Sequence, residues 1–506
     1  MKRQGTLWML TGIALNISAQ QAKRWNIIHI MSDDHSYQTI SAYGHPLSQK
    51  APTDNIDRLA RQGTLFRRAY VENSLSTPSR ACLMTGLYSH QNGQRRLNGG
   101  IDSTLTFVSE LLQDAGYQTA IMGKWHIQCD PKGFGDYHIL HNQGEYYKPR
   151  FRTPQSKGRY IPEEGYVTDL ITDHAIEFLE QRDKDKPFAL FVHHKAPHRN
   201  WMPPTRFLTL YEDVEFPLPR TFDDDYSTRG SAAHNQEMSI GKNMELEHDL
   251  KTDVAVGKQN HLGRMNEEQK KAWWRYVAPR NEAFRELQLT GEALTRWKYQ
   301  TYLRDYLRCI HAIDEQVGRI LDYLEANGLM ENTLIVYTSD QGFYMGEHGW
   351  FDKRFMYEES FRTPLIIYAP DKATPRENDA LVQNIDFAPT YLDIAGIEKP
   401  QEMVGTSLMP LIEKNKAPKS WRKYLYYHYY DFPAEHHVSR HDGVSDGRYK
   451  LIHFYGREGT YDEFYDLKKD PDETHNRINE RAYRKHIARL QRQLDQFRAK
   501  ERVDEW

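Results

Sequence analysis

Short, unbroken apolar runs alternate with longer stretches of helical periodicity along most of the chain. Such a run predicts a strand buried on both faces, which is typical of a parallel sheet covered by helices. One helical stretch, residues 303–324, carries its apolar residues on one face and ends at Asn327-Gly328. The alternation predicts an α/β fold whose ligands bind beyond the carboxyl ends of the strands. The predicted strands are residues 27–31, 119–122, 188–192, 334–338 and 364–368.

The texture of the sequence changes in two places. Residues 228–296 are polar and have little strand character, so we expect a largely helical insertion there. Beyond about residue 400, three short tyrosine-rich segments and a helix near 480–501 predict a small subdomain on an antiparallel sheet. The three segments are residues 424–430, 449–455 and 461–467.

The N-terminus has the features of a secretory signal peptide. Lys2 and Arg3 precede the apolar residues 7–14, and Ile17-Ser18-Ala19 resembles a cleavage site. The apolar stretch is too short for a permanent membrane span, so we expect a signal peptide over 1–19 and export to a periplasm. A formal net charge of −3 argues against an electrostatic partnership with nucleic acid.

Polar side chains follow two of the predicted strands. Asp33 and Asp34 come directly after residues 27–31, and Asp340 and Gln341 come directly after residues 334–338. Oxygen donors at neighbouring strand ends suit a hard cation such as calcium or magnesium. By spacing alone, two unrelated acidic loops are an equally good interpretation.

The segment from Ser76 to Gly86 contains the most informative motif. Pro78 is placed to open a helix and Gly86 to close it, which puts Ser76 at the helix N-terminus. Backbone N–H groups at such an end favour an anion, and Arg80 lies one helical turn further on. Spacing alone indicates a possible anion site, and helix caps of this type are common.

With this segment the chain resembles the sulfatase family of the alkaline-phosphatase-like superfamily. The family motif begins with Cys or Ser and is matched here at Ser76, Pro78, Ser79, Arg80, Leu83, Thr85 and Gly86. Further family motifs follow in order: Asp33-Asp34, Gly123-Lys124-Trp125-His126, Ala196-Pro197-His198, Ser339-Asp340-Gln341-Gly342, and Gly346-Glu347-His348-Gly349 with Lys353. The resemblance implies a large, mostly parallel mixed sheet with a smaller antiparallel C-terminal one. We therefore expect a catalytic domain over 20–400 and a C-terminal subdomain over 401–506.

The resemblance also implies a mechanism. The first motif residue is oxidised to formylglycine, so Ser76 is the expected nucleophile. A calcium ion is expected on Asp33, Asp34, Ser76, Asp340 and Gln341, although the family often has Asn or His at position 341. The remaining expected catalytic roles are Arg80 steadying the nucleophile, Lys124 and Lys353 binding sulfate, His126 as base and His198 as acid.

Serine rather than cysteine at position 76 resembles the sulfatases of anaerobic bacteria. Those proteins are matured by a radical enzyme in the cytoplasm before export. A formylglycine-generating enzyme is therefore the expected maturation partner, and a bacterial periplasm the expected location.

Three further stretches resemble the branch that contains N-acetylglucosamine-6-sulfatases. They are Gln143-Gly144-Glu145-Tyr146-Tyr147, Trp297-Lys298-Tyr299-Gln300 and Gly349-Trp350-Phe351-Asp352-Lys353-Arg354. Asp352 and Arg354 flank the sulfate-binding lysine and are candidates to bind sugar hydroxyls. His436, His437 and His441 are candidates to close the pocket, and His437 is the one assigned to substrate binding. An internal salt bridge between Asp352 and Arg354 is an equally good interpretation.

The expected function is 6-O-desulfation of N-acetylglucosamine in a glycosaminoglycan such as heparan sulfate, or in a related host glycan. One alternative is 2-O-desulfation of a uronic acid. Another is a phosphatase or phosphonate hydrolase of the same superfamily, which the intact Ser76 motif disfavours.

Overall fold

The computed structural model describes residues 24–253, 262–373, 375–414 and 417–506. The predicted signal peptide over 1–19 lies outside these ranges. Every helix within them falls short of the length or the apolar character that a bilayer crossing demands.

Strands and helices alternate over the first part of the chain, as the sequence predicts. In the described residues the strands are β1 Asn26–Ser32, β2 Thr64–Phe66, β3 Ala69–Tyr70, β4 Gln118–Gly123, β5 Asp136–Leu140, β6 Arg150–Arg152, β7 Ile161–Pro162, β8 Phe188–His194, β9 Thr333–Ser339, β10 Arg362–Thr363, β11 Leu365–Tyr368, β12 Arg376–Asn378, β13 Val382–Gln383, β14 Leu425–Tyr429, β15 His441–Ser445, β16 Tyr449–Phe454 and β17 Tyr461–Asp466. The helices are α1 Asp54–Gln62, α2 Ser76–Thr85, α3 Ser89–Asn92, α4 Val108–Asp114, α5 Val167–Gln181, α6 Ser231–Asn235, α7 Glu267–Leu287, α8 Gly291–Ala326, α9 Glu358–Phe361, α10 Phe387–Ile394, α11 Met409–Glu413 and α12 Arg484–Glu501.

A ten-stranded mixed sheet forms the centre of the molecule, in the order β12-β2-β11-β9-β1-β8-β4-β5-β6-β7. Its middle strands, β9, β1, β8, β4 and β5, are mutually parallel. The prediction of a large, mostly parallel sheet is therefore confirmed. One predicted direction is wrong: β11 runs antiparallel to β9. An apolar run reports burial on both faces, which an antiparallel strand inside a covered sheet shares with a parallel one.

The register of the parallel strands brings the sequence motifs together. Ser32 at the end of β1 pairs with Ser339 of β9 and with His194 of β8. Gly123 at the end of β4 pairs with His193. The segments after these four strands therefore leave one edge of the sheet side by side, where α/β folds bind ligands.

Helix α2 lies buried beneath this edge. Its ten residues are all buried, and Gly86 ends it in the left-handed region at φ 65°, with its N–H on the carbonyl of Cys82 at 2.8 Å. A left-handed residue closes a helix without strain only when it lacks a Cβ, which accounts for the glycine. The predicted end of this helix at Gly86 is confirmed, and the helix begins at Ser76, two residues before Pro78.

The segment 228–296 is only partly helical. Helices α6, α7 and the start of α8 lie in it, but the described residues between 236 and 266 form turns and bends. The prediction of a largely helical insertion is wrong for that part. Ser239 there makes a bridge to Trp350, so the segment covers the loop after β9. Polar composition excludes strands, but it does not separate a helix from a turn-rich cover.

A four-stranded antiparallel sheet, β14-β15-β16-β17, forms the C-terminal part of the molecule. Its tyrosine-rich strands β14, β16 and β17 match the predicted segments, whereas β15 was not predicted because His441, Asp442 and Gly443 interrupt its apolar pattern. One group of its side chains packs with α12 and another with the loop after β9. This sheet is therefore placed to supply residues to the catalytic edge.

Candidate active site

Ser76 lies at the first turn of α2, directly beside the end of β1. Its Oγ donates a hydrogen bond to Oδ1 of Asp33 at 3.0 Å, and the residue is only 2% exposed. The helix N-terminus and the strand end thus meet at this hydroxyl. Such a position favours negative charge on an incoming group.

Three buried carboxylates, those of Asp33, Asp34 and Asp340, lie at the strand ends on the Ser76 side of the sheet. Arg80 joins two of them: its Nη2 lies 3.0 Å from Asp340 and 3.8 Å from Asp33. The N–H of Asp34 donates to Oδ1 of Asp340 at 3.1 Å, which links the ends of β1 and β9. Arg80 also donates to the carbonyl of Lys124 at 2.7 Å, so it holds three segments of the edge together.

Two buried lysines complete this charged cluster. The Lys124 ammonium pairs with Asp33 and also donates to Oε1 of Gln143 at 2.5 Å. The Lys353 ammonium contacts both oxygens of Asp34 at 2.7 Å. Each lysine therefore lies against a carboxylate on the catalytic edge, within reach of the Ser76 region.

Burial raises the pKa of Asp34 to about 7 despite Lys353, and the Asp33 and Asp340 carboxylates add to the rise. Burial would raise the pKa of Asp33 as well, but Lys124, His198 and Arg80 hold it well below its usual value. Three carboxylates packed so closely repel one another when all are ionised. Arg80, Lys124 and Lys353 match the three carboxylates in charge, and the closely packed carboxylate oxygens remain suitable ligands for a hard cation.

The donor set fits a hard divalent cation. Oε1 of Gln341 is buried without a hydrogen-bond partner, while its Nε2 donates to Asp34. Ligand atoms of Asp33, Asp34 and His198 lie within 4.8 Å of one another. Calcium prefers carboxylate and amide oxygens, so we favour Asp340 and the orphaned Gln341 oxygen over the His198 nitrogen as further ligands.

Two histidines flank the cluster. Nδ1 of His126 lies 3.3 Å from the Thr77 hydroxyl. Nδ1 of His198 donates to the carbonyl of Arg199 at 2.9 Å, which leaves Nε2 3.8 Å from Asp34. Burial lowers both pKa values well below the usual value, and the charge of Lys124 lowers them further. Both rings are therefore neutral at pH 7 in the free protein, and His126 is ready to accept a proton.

A second charged group lies next to Lys353. Oδ1 of Asp352 accepts hydrogen bonds from the Arg354 guanidinium and from the backbone N–H of Lys353. Nε2 of His436 lies 3.2 Å from Oδ2 of Asp352, and its Nδ1 donates to the carbonyl of Glu237 at 2.7 Å. All three side chains are buried. The internal salt bridge between Asp352 and Arg354 thus exists, and the His436 ring lies against the other carboxylate oxygen of Asp352.

The backbone is strained at this group. Asp352, Arg354 and His436 adopt φ angles of 77°, 101° and 69°, a region that non-glycine residues rarely occupy. Strain of this kind persists only where the surrounding contacts overdetermine it, and it clusters at functional sites. The loop after β9 is therefore held in a specific shape against the C-terminal sheet.

The structure brings together the predicted residues Ser76, Arg80, Lys124, His126, His198 and Lys353 with Asp33, Asp34, Asp340 and Gln341. It also places Asp352 and Arg354 beside them. His437 is not part of this group: its Nε2 pairs with Glu458 at 2.7 Å. The adjacent His436 faces Asp352 instead, because the turn at 435–437 directs successive side chains apart. The sequence signal was the His-His pair, which did not indicate which ring faces inward.

Two comparisons describe what this chain is similar to. A model of the sulfatase family matches residues 25–397, and one for the C-terminal part of N-sulphoglucosamine sulphohydrolase matches residues 346–500. The chain is 47% identical over 494 residues to the N-acetylglucosamine-6-O-sulfatase of Bacteroides thetaiotaomicron, covering 95% of this chain and 87% of that protein.

Solved structures of similar proteins identify the fold of this chain. The structure of BT4656 in complex with its substrate, D-glucosamine-2-N,6-O-disulfate, matches with a TM-score of 0.92 and 46% identity over 96% of this chain and 99% of that one. A phosphonate monoester hydrolase of Silicibacter pomeroyi matches with a TM-score of 0.69 and 20% identity over 94% of this chain and 96% of that one. The alkaline-phosphatase-like fold is thereby confirmed.

Proposed function

The chain belongs to the sulfatase family of sulfuric ester hydrolases, and from this we propose that it removes the 6-O-sulfate of a terminal N-acetylglucosamine or glucosamine unit in a glycosaminoglycan. The observation that carries the proposal is the buried Asp352–Arg354–His436 group beside Lys353. A carboxylate and a guanidinium side by side can bind a sugar diol with charge-assisted hydrogen bonds. The name of the relative at 47% identity supports the same substrate.

The position of the ester on the sugar agrees with this geometry. A 6-sulfate is carried on an exocyclic primary carbon, so it can enter a narrow charged pocket while the ring stays at the entrance. Ser76, Lys124 and Lys353 are each at most 4% exposed, so a small group carried away from the ring is best suited to reach them. The hydroxyls of the ring are then free to contact Asp352 and Arg354.

The proposal includes two groups that the sulfatase family uses. We propose that Ser76 is converted to formylglycine by a maturation enzyme, and that Asp33, Asp34, Asp340 and Gln341 hold calcium with it. The aldehyde supplies a hydrated nucleophile, and the cation supplies charge stabilisation to sulfate oxygens. The hydrogen bond from Ser76 to Asp33 and the orphaned oxygen of Gln341 support these assignments.

The remaining residues of the candidate active site have roles that follow from their contacts. Arg80 fixes Asp33 and Asp340 relative to α2. Lys124 and Lys353 supply positive charge for the sulfate oxygens. His126 is neutral because burial lowers its pKa. It can therefore act as the base that accepts a proton from the hydrated nucleophile at position 76. His198 protonates the departing sugar oxygen, since a negatively charged ester bound beside it raises its pKa again.

A substrate comparison tests the proposal. We expect the matured enzyme to hydrolyse N-acetylglucosamine-6-sulfate and to leave an unsaturated 2-O-sulfated uronate disaccharide intact. The uronate carries a carboxylate that Asp352 would repel. Faster release of sulfate from the uronate would reject the 6-O assignment and favour the alternative. Faster cleavage of an aryl phosphonate than of any sulfate ester would favour the phosphonate hydrolase alternative.

Asp352→Asn is expected to lower kcat/KM for N-acetylglucosamine-6-sulfate by about 10²-fold, because a lost charged hydrogen bond and a stranded Arg354 act together. The substitution keeps the shape of the side chain and its bond to the Lys353 N–H. Steady-state kinetics measure the effect. Glu458→Gln, which removes a carboxylate from the neighbouring C-terminal subdomain, should stay within about threefold of the wild type.

The two adjacent histidines provide a matched pair. His436→Gln is expected to lower kcat/KM by about tenfold, because His436 holds Asp352, whereas His437→Gln should change it less than about twofold. The same kinetic assay compares them. A larger loss of kcat/KM in His437→Gln than in His436→Gln would indicate that His437 contributes to substrate binding.

Export is part of the proposal as well. The basic start and short apolar stretch of residues 1–19 support cleavage after Ala19 and delivery to a periplasm. N-terminal sequencing of the protein from the periplasmic fraction tests this, and a protein retained in the cytoplasm with Met1 intact would contradict it.

A further inference from the structure

Lys195 is a buried lysine that the catalytic scheme does not use. It directly follows β8 and is only 4% exposed. Its ammonium lies 4.4 Å from the centre of the Tyr146 ring, and within the described chain it makes no hydrogen bond or ion pair with a carboxylate. An ammonium this buried normally has a charged or hydrogen-bonding partner, because its desolvation is otherwise uncompensated. The missing partner points to a ligand.

Lys195 lines a pocket of 390 Å³ that joins the active site. The same pocket is lined by Gln143, which binds the ammonium of Lys124 at 2.5 Å, and by His198, whose Nε2 lies 3.8 Å from Asp34. A substrate whose ester lies at Ser76 can therefore extend into it.

The pocket has a positive charge balance. Arg199 in its wall is paired with Asp249 at 2.6 Å, and Glu145 is paired with Arg150. Arg264 donates to the backbone carbonyls of Tyr147 and Lys148 and, in the described chain, forms no ion pair. Among the residues that the structure describes, Lys195 and Arg264 are thus cations without a paired carboxylate, and they favour an anion between the pocket walls.

We propose that Lys195 binds a second anionic group of the substrate, next to the ester that is hydrolysed. This inference rests on the proposed function and narrows it to sugars with two neighbouring anionic groups. An N-sulfate on the same glucosamine and the carboxylate of an adjoining uronic acid both supply the required anionic oxygens. Burial and the charge of Lys124 lower the pKa of Lys195 to about 8, so the ammonium still predominates at pH 7 and an anion stabilises it further.

Three substrates and one substitution test the proposal. The substrates are N-acetylglucosamine-6-sulfate, glucosamine-2-N,6-O-disulfate, and a disaccharide of N-acetylglucosamine-6-sulfate linked through C1 to a uronic acid. Lys195→Met is expected to lower kcat/KM by about tenfold or more for either the disulfated glucosamine or the uronic-acid disaccharide. For N-acetylglucosamine-6-sulfate, which has no second anionic group, the loss should be less than about threefold. Lys148→Met, which removes a half-exposed lysine paired with Glu164, is the control for the loss of one charge.

The result identifies the source of the anion. A loss confined to the disulfated monosaccharide assigns the N-sulfate, and a loss confined to the disaccharide assigns the carboxylate. An equal loss on all three substrates, or no loss on any, overturns the proposal. Thermal melting confirms that the variant is folded, and Lys195→Gln takes its place if Lys195→Met is not.

Binding separates this inference from the proposed function. Calorimetry on Ser76→Ala and on Ser76→Ala/Lys195→Met gives the Kd of each sugar without turnover. If the wild type desulfates none of the sugars, the proposed function fails. Lys195 is then judged by whether its substitution weakens binding of a doubly anionic sugar more than that of N-acetylglucosamine-6-sulfate.

Discussion

Ser76→Ala is expected to lower kcat/KM by at least about 10⁴-fold, because the substitution removes the atom that becomes the nucleophile. The hydroxyl is nearly inaccessible and donates its hydrogen bond to Asp33 alone among the described residues. Its removal leaves the lysines and histidines of the site in place. Substrate binding should therefore survive while turnover is lost, which single-turnover kinetics and calorimetry distinguish.

Conversion of Ser76 to formylglycine changes the mass of the peptide that contains it. Peptide mass spectrometry of the active protein should show the loss of two hydrogens at Ser76. Ser74→Ala is the matched control, because Ser74 is also buried nearby but donates to the carbonyl of Ser360 at 3.0 Å. That variant should retain most of its activity. Full activity of a protein whose Ser76 is entirely unmodified would refute the formylglycine mechanism.

The chemical groups of the site were predictable because strand ends and a helix start fix them. Asp33 and Asp340 each directly follow a predicted strand, but their meeting required the family resemblance, because the pairing of those strands in register is visible only in the structure. Ser76 begins the helix that Gly86 ends, with Pro78 in its first turn. Local signals of this kind survive folding because each depends on a short stretch of backbone.

The substrate-facing part was less predictable, because it depends on contacts between distant segments. His436 reaches Asp352 only through a strained turn in the C-terminal subdomain, held by the carbonyl of Glu237 in the irregular segment before α7. No periodicity in the sequence reports such a turn. Lys195 shows the same limit: its position beside the Ala196-Pro197-His198 motif gives no sign that its ammonium is buried without a carboxylate.

Asp340→Asn is expected to abolish binding of the divalent cation and to lower kcat/KM by about 10³-fold or more. Metal analysis of the wild type should find one calcium per chain, and the variant should contain little.

Calcium should also raise the Tm of the wild type, because a ligand that binds only the folded state stabilises it, and this rise should vanish in Asp340→Asn. In chelator the two proteins should differ less, since three closely packed carboxylates repel one another without the cation. The pKa of Asp34 is raised to about 7 mainly by burial, and the Asp33 and Asp340 carboxylates add to the rise, in agreement with that repulsion. Asp442→Asn is the matched control, because Asp442 is also a buried carboxylate paired with an arginine, Arg498 at 2.6 Å. It should lower stability without removing calcium or its effect on Tm, so that a shared loss would show general unfolding rather than a lost ligand. A metal-free wild-type protein with full activity would contradict the cation site itself.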